Sequence, residues 1–286
     1  MALTGKEFVK KVEEIIEPLF KSSEMQTEAY FRSHPDLDEC IFNFKRRMFN
    51  ERMNVVEIAK TLAELPASTD PVQVKLISKQ VLDEAKHYDM VKNVIEYLSG
   101  APLSDEEIEK EFAWQMAPEN IKAKGASMFE EIGAEGDETL TAVYQMVAEG
   151  RAGRVWFAMS RSIDDPVVQR TYAKIAKDET FHSKIGARTL ERTCHLNEAE
   201  QQKVLDTLPK MFERMYWINC MGNVALKETA EMLEEAYGID LSEEKHIAKG
   251  KPFHTMPADA KNWTPKALGE FDDTESNEFV DNFAAQ

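Results

Sequence analysis

Two parts of this chain carry the same short pattern of carboxylate and imidazole side chains. Both read Asp-Glu-x-x-His, and their members are Asp83, Glu84, His87, Asp178, Glu179 and His182. A Glu and a His three residues apart lie on the same face of a helix, so each pair can offer one oxygen and one nitrogen to a metal ion. The two copies together predict a two-metal site.

The two patterns lie in longer stretches that resemble each other. Residues 70–87 and residues 165–182 share seven identical positions at an offset of 95, and both stretches begin with Asp-Pro. Asp is a common helix cap, and Pro suits the first helical turn. The repeat therefore predicts two helix pairs, each made of a long helix, a short loop and a helix that begins at Asp-Pro.

The helical phase of each motif points its Glu towards the protein core. At 100° per residue, Glu84 shares a face with apolar residues, namely Ile77, Val81, Tyr88, Val91, Ile95 and Leu98. Glu179 shares a face with Val168, Tyr172, Ile175, Gly186 and Leu190. Burying a Glu and a His in such a stripe is costly unless they are paired or bound to metal. Duplication makes a purely structural cluster the weaker interpretation.

The remaining carboxylate ligands are expected on the helix that precedes each motif. Glu149 is the only acidic residue between Leu140 and Ile163, and it lies 30 residues before Glu179. If the two helices form an antiparallel pair, Glu149 and Glu179 lie at the same height along the helix axes. We therefore predict Glu149 as a ligand.

The matching ligand of the first copy is ambiguous. The position 95 residues before Glu149 is Asn54, and Glu51 and Glu57 lie three residues on either side of it. Glu51 borders an apolar stripe and is level with Glu84, whereas Glu57 projects from the more polar side and lies about 7 Å too near the turn. We prefer Glu51 and keep Glu57 as the alternative.

Asp83 and Asp178 precede the two His residues by four positions. Each carboxylate can reach an imidazole, either that of its own motif or that of the other copy. A carboxylate in this position fixes the tautomer of a ligand His and strengthens the ring as a ligand. We predict that Asp83 and Asp178 support the metal site in this way.

Helical periodicity dominates the chain and predicts an all-α protein. The expected helices cover about 4–31, 36–65, 71–98, 137–162 and 166–193, with shorter helical pieces in 104–134 and further helices in 197–237. Four long helices with short loops predict an antiparallel bundle. We expect one domain over residues 1–250 and an acidic, mostly irregular tail over 251–286, where Lys266 is the last basic residue.

Composition narrows the class of protein. The net charge of -17 opposes binding to nucleic acid or to an anionic membrane, and no apolar run is long enough for a transmembrane helix. The start of the sequence has charges where a signal peptide needs an apolar core. Cys40, Cys194 and Cys220 form no CxxC pair, so we expect no disulfide framework and a cytoplasmic location.

Four carboxylates and two imidazoles form an oxygen-rich donor set that favours iron or manganese over structural zinc. The predicted ligands are Glu51, Glu84, His87, Glu149, Glu179 and His182. Two ions held about 3.5–4 Å apart by shared carboxylates are expected. We predict two iron ions, with a Mn/Fe pair as the alternative.

The arrangement resembles the ferritin-like di-iron carboxylate superfamily over residues 36–222. Within it, QVLDEAKH and YAKIAKDETFHSKIGARTLERT resemble the catalytic subunit of the phenylacetyl-CoA ring epoxidase family. Glu149-Gly150 matches a ligand-Gly pair of that family, in which the ligand is typically Asp. The family's first-half spacing is nearer to 30 than to the 33 or 27 residues found here. The resemblance implies a ferritin-like four-helix bundle with extra N- and C-terminal helices.

The resemblance implies a di-iron oxygenase that uses O₂ to hydroxylate or epoxidise an organic substrate, such as an aromatic compound or a CoA thioester. No flavin or nicotinamide fingerprint is visible, so electrons are expected from a separate reductase or ferredoxin. A homo-oligomer or a hetero-complex is expected. The alternatives are a ferritin-like iron-oxidising or storage protein, an N-oxygenase or radical-generating member of the superfamily, and a metal-free structural partner.

Overall fold

The described part of this computed structural model is built from α-helices. It comprises residues 2–32, 35–117, 128–220, 227–239 and 241, and no strand occurs within those ranges. The helices are α1 (Gly5–Arg32), α2 (Leu37–Glu64), α3 (Pro71–Ser99), α4 (Asp105–Gln115), α5 (Met128–Glu131), α6 (Glu138–Ser162), α7 (Pro166–Thr193), α8 (Glu198–Cys220) and α9 (Lys227–Tyr237). The all-α class is confirmed. The boundary expected near residue 250 and the tail expected over 251–286 lie outside the described residues.

Both motif-bearing helices begin at their Asp-Pro pair, as the sequence predicts. The Asp70 side chain accepts a hydrogen bond from the backbone N–H of Val72 at 3.0 Å. The Asp165 side chain accepts hydrogen bonds from Val167 and Val168, both at 2.9 Å. These bonds satisfy backbone donors that the first turn of a helix otherwise leaves unpaired, so they fix where α3 and α7 start.

The long helices form two hairpins, each made of consecutive helices. Helix α2 packs against α3, α6 packs against α7, and the hairpins meet through α3 and α7. The α6–α7 approach is close at Gly186, where an added Cβ would lie 2.5 Å from the backbone oxygen of Ala142. Gly186 therefore sets the spacing of the hairpin that carries half of the predicted ligands.

Helix α1 lies across the second hairpin and packs against α6, α7, α8 and α9. It begins with reciprocal hydrogen bonds between Thr4 and Glu7. Ion pairs at its surface join Glu17 to Arg154 at 3.0 Å and Glu28 to Arg161 at 2.7 Å. None of the helices in the described ranges combines the length and apolar character needed to cross a membrane.

Candidate metal centre

The predicted ligand side chains of the four hairpin helices converge at one place. Two groups have ligand atoms that all lie within 4.8 Å of one another: Glu51, Glu84, His87 and Glu179 in the first, and Glu84, Glu149, Glu179 and His182 in the second. Each group can hold one metal ion. Because Glu84 and Glu179 belong to both groups, the arrangement suits two neighbouring ions with shared carboxylates.

Most of this cluster is shielded from water. Glu84, His87 and His182 are fully buried, Glu179 and Glu51 are almost so, and Glu149 is half-buried. Carboxylates at this depth are costly unless cations or hydrogen bonds compensate them. The cluster must therefore contain cations or hydrogen bonds that compensate the buried carboxylates.

The structure distinguishes clearly between the two candidates on α2. The Oε2 atom of Glu51 lies 3.5 Å from Nδ1 of His87, inside the cluster. The side chain of Glu57 is 57% exposed and pairs with Lys60 at 2.8 Å on the surface. The structure thus places Glu51 with the other predicted ligands and Glu57 in solvent.

Each His is paired with the Asp of the other copy. Nε2 of His87 lies 3.2 Å from Oδ2 of Asp178, and Nε2 of His182 lies 3.3 Å from Oδ2 of Asp83. The Nδ1 atoms face the glutamates instead: Nδ1 of His182 is 3.1 Å from Oε1 of Glu84. An Nε2–H that donates to Asp leaves the Nδ1 lone pair for a metal ion.

Three amide side chains contribute to the centre, and their roles were not predicted. Asn54 donates a hydrogen bond to Glu84 at 3.2 Å, Gln80 donates one to Glu149 at 2.8 Å, and Gln145 donates to Gln80. The sequence holds a signal for Gln80, which precedes Glu84 by one helical turn on the same face. Asn54 lies 95 residues before Glu149, at the matching position of the first copy. It is not a predicted ligand itself but donates a hydrogen bond to one, Glu84.

The donor set fits a pair of divalent cations. Among the described residues, Oε2 of Glu51, Oε1 of Glu84 and Nδ1 of His87 are buried and make no hydrogen bond of acceptable geometry. Such atoms are costly inside a protein unless they bind a ligand. Four carboxylates also balance the charge of two divalent ions when both His residues are neutral, and oxygen-rich sites of this kind suit iron or manganese.

Burial and mutual contact shift the pKa values of the cluster in the metal-free protein. Burial raises the pKa of Glu51 to about 8 and raises the pKa of Glu149 well above its usual value. Burial also opposes ionisation of Glu179, but the close imidazoles of His182 and His87 outweigh it and lower the pKa of Glu179. Without metal, the buried charges are therefore reduced by bound protons.

The pKa values of His87 and His182 are both raised. Burial disfavours their charged forms, yet the hydrogen bond that His87 donates to Asp178 and the close carboxylate of Glu179 raise the pKa of His87 well above its usual value. Asp83 and Glu179 do the same for His182. Metal binding must displace these protons, so metal binding and protonation compete at this centre.

No protein-family model, curated protein or solved structure matches this chain significantly.

Aromatic rings pack about two helical turns from Glu149 on α6 and from Glu179 on α7. Tyr172 is fully buried, stacks on Trp156 with ring centroids 5.1 Å apart, and contacts Phe44 at 5.4 Å. Arg47, one helical turn before Glu51, lies 4.8 Å above the Trp156 ring. The aromatic stack is buried, and Arg47 joins it to the helix that carries Glu51.

Proposed function

We propose that this chain is a ferritin-like di-iron oxygenase that activates O₂ and hydroxylates or epoxidises an organic substrate. The observation that carries the proposal is the pair of overlapping ligand groups that share Glu84 and Glu179. A structural zinc site would use four ligands and favour cysteine. Here six oxygen and nitrogen ligands come from four helices, as in di-iron carboxylate proteins.

The side chains of this chain perform three tasks in the proposed reaction. The six ligands would hold the ions, Asp83 and Asp178 orient the His rings by accepting from Nε2, and the buried stack of Tyr172 and Trp156 would limit the access of water. A bound iron pair would supply electrons for the reduction of O₂, of which one oxygen atom would enter the substrate and the other would leave as water. The substrate class, an aromatic compound or a CoA thioester, follows from the sequence resemblance. The separate electron donor is proposed because the sequence has no flavin or nicotinamide fingerprint.

Metal analysis is the first experiment. Protein produced with iron is expected to hold about two ions per chain, because two ligand groups are present. Glu84→Ala and Glu179→Ala each remove a ligand from both groups and should lower the content to well below one ion. Glu64→Ala, at an exposed position on α2, is the matched control and should leave the content unchanged.

Oxygen consumption tests the activity itself. The loaded protein, supplied with an artificial electron donor, should consume O₂ faster when aromatic acids or their CoA thioesters are added.

Two results would contradict the proposal. A metal content below one ion per chain that is unchanged in the Glu84→Ala and Glu179→Ala variants would refute the dinuclear centre. Uptake of many iron ions per chain without substrate-dependent O₂ consumption would instead assign the protein to iron storage.

A further inference from the structure

The outer side of α7 is basic although the whole chain is acidic. From Arg170 to Arg188 the exposed positions include Arg170, Lys177, Lys184 and Arg188, with Lys174 half-buried beside them. The acids in this stretch are Glu179, which is buried in the metal centre, and Asp178, whose side chain is 32% exposed. A chain with a net charge of -17 therefore presents a strip of positive charge along one of its metal-binding helices.

The neighbouring side of α3 is also basic. Between Lys75 and Lys86 the only acids are Asp83 and Glu84, both buried, and Leu82 is 40% exposed among the lysines. The two strips are continuous, since Nζ of Lys79 lies 4.6 Å from the centre of the Phe181 ring on α7. We call this surface, the outer side of α3 from 75 to 86 and of α7 from 170 to 188, the basic face.

The basic face lies directly over the metal centre. Lys79, whose side chain is 35% exposed, donates to the buried Asp83, and Oδ2 of Asp83 lies 3.3 Å from Nε2 of His182. Asp178 provides a second short path, since its partly exposed carboxylate is 3.2 Å from Nε2 of His87. On both paths a single Asp separates the surface from a predicted metal ligand.

We propose that the basic face docks an acidic electron-transfer protein that reduces the metal centre, an inference that rests on the proposed oxygenase function. Complementary charge speeds the encounter of such partners and orients them, and the exposed Leu82 with the Phe181 ring supplies apolar contact inside a charged rim. From Arg170 to Arg188 the face is about 27 Å long, which suits the small interfaces of transient redox complexes.

The electron count of the proposed step is simple. Each encounter oxidises the donor's one-electron centre once and reduces one bound metal ion from the trivalent to the divalent state. Two encounters reduce both ions, and no covalent bond forms or breaks. The Asp–His pairs lie between the docked donor and the ions.

The first test measures binding and needs no metal or activity. The probe is a purified acidic [2Fe–2S] ferredoxin, titrated into the metal-free full-length chain at low and at 0.5 M salt. The variant Lys75→Glu/Lys177→Glu/Lys184→Glu reverses three charges of the face, and none of these lysines has an ion pair with the described residues. We expect binding that is at least about tenfold weaker in the variant and in high salt.

A matched control separates this face from net charge. Lys6→Glu/Lys11→Glu/Lys21→Glu changes the net charge by the same amount at exposed positions of α1. This variant should bind the ferredoxin nearly as tightly as the original chain. Equal weakening in both triple variants would overturn the proposal, as would the absence of salt-dependent ferredoxin binding in the original chain.

The second test compares two reductants of opposite charge on the iron-loaded protein. Reduction by ferredoxin should slow at least about tenfold in the α3–α7 variant, whereas reduction by the cationic methyl viologen radical should not slow. If metal loading and substrate-dependent O₂ use persist while ferredoxin reduction is unchanged, the docking site is wrong and the oxygenase function stands. If face-dependent reduction occurs without any substrate oxidation, the oxygenase function fails and the docking site stands.

Other occupants of the face give different results. Salt-dependent self-association that the α3–α7 variant abolishes would assign the face to a second copy of this chain. Preferential binding of anionic vesicles or of DNA would assign it to those polyanions. Tighter ferredoxin binding after the acids of 270–281 are neutralised would assign it to the chain's own C-terminal segment. Each of these results would overturn the proposal.

Discussion

At the scale of residues, burial decides which carboxylates belong to the centre. Glu51 and Glu57 have the same side chain and lie on the same helix, yet Glu51 is 2% exposed and Glu57 pairs with a surface lysine. Burial raises the pKa of Glu51 to about 8, whereas an exposed carboxylate is solvated by water. Of the two residues, Glu51 gains more from binding a metal ion, because its buried carboxylate lacks the hydration that stabilises Glu57.

The choice between these two residues predicts different metal contents. Glu51→Ala removes a ligand of the group that contains His87 and should lower the iron content from about two ions to about one per chain. Glu57→Ala, the matched control six residues away on the same helix, should retain both ions. Elemental analysis of the two purified variants checks this, and loss of iron from the Glu57 variant alone would reverse the assignment.

The raised pKa of Glu51 predicts how the metal-free protein responds to pH. The folded carboxyl keeps its proton up to about pH 8, whereas in the unfolded chain it ionises near 4.5. The stability from this group is thus complete below about pH 4.5 and lost as pH rises towards 8. Glu51→Gln cannot ionise, so its stability relative to the original chain should rise by about 1 kcal/mol or more between pH 5 and pH 9.

Urea unfolding of both metal-free proteins at pH 5, 7 and 9 measures this difference. Titrating groups distant from Glu51 are common to both proteins and cancel in the comparison. A stability difference that does not change with pH would show that Glu51 ionises normally in the folded protein.

At the scale of elements, α3 and α7 are joined by reciprocal Asp–His pairs. His87 on α3 pairs with Asp178 on α7, and His182 on α7 pairs with Asp83 on α3. Each motif therefore supplies the Asp that pairs with the His of the other motif. Asp83 is also held by Lys79 and, at 3.7 Å, by Lys86.

Loss of one of these pairs should weaken metal binding without removing a ligand. Asp83→Asn keeps the shape of the side chain but removes the charge that orients and polarises His182, so metal affinity should fall about 10- to 100-fold. Asp89→Asn, at an exposed position of the same helix, is the matched control. Competition with a chelator of known affinity measures both, and equal affinities would show that Asp83 has only a structural role.

At the scale of the whole molecule, the candidate metal centre is where the two hairpins bring buried polar groups together. The apolar contacts lie in two clusters, one around α1, α6 and α8, and one around Phe44, Trp156 and Tyr172. Between them the ligand carboxylates repel one another unless protons or metal ions compensate their charge. Metal binding should therefore strengthen the association of the hairpins.

Metal removal should lower the melting temperature. A ligand present at 100 times its Kd stabilises the folded state by about 2.7 kcal/mol, which corresponds to roughly 5 °C or more for a chain of this size. Calorimetry of the iron-loaded and chelator-treated protein measures the shift. The Glu84→Ala/Glu179→Ala double variant should melt at one temperature under both conditions, and a metal-dependent shift in that variant would place the bound metal elsewhere.

The amino-acid sequence by itself determined the helices and the candidate ligands of the two copies. Periodicity placed α2, α3, α6 and α7 within one residue of their observed ends, because caps and apolar stripes are local properties. Duplication singled out both Asp-Glu-x-x-His motifs, and Glu149 was singled out as the only acid between Leu140 and Ile163. Spacing alone did not decide between Glu51 and Glu57, because the α2–α3 loop determines which of them lies at the height of Glu84.

Tertiary structure decided the features that depend on contacts between distant segments. Only the packing of α3 against α7 shows that each Asp pairs with the other copy's His, because the sequence allowed both partners. The roles of Asn54 and Gln80 appear for the same reason, since amides have no fixed partner until helices are docked. The basic face likewise exists only once two separate helices lie side by side, because single helices do not show which strips of charge become neighbours.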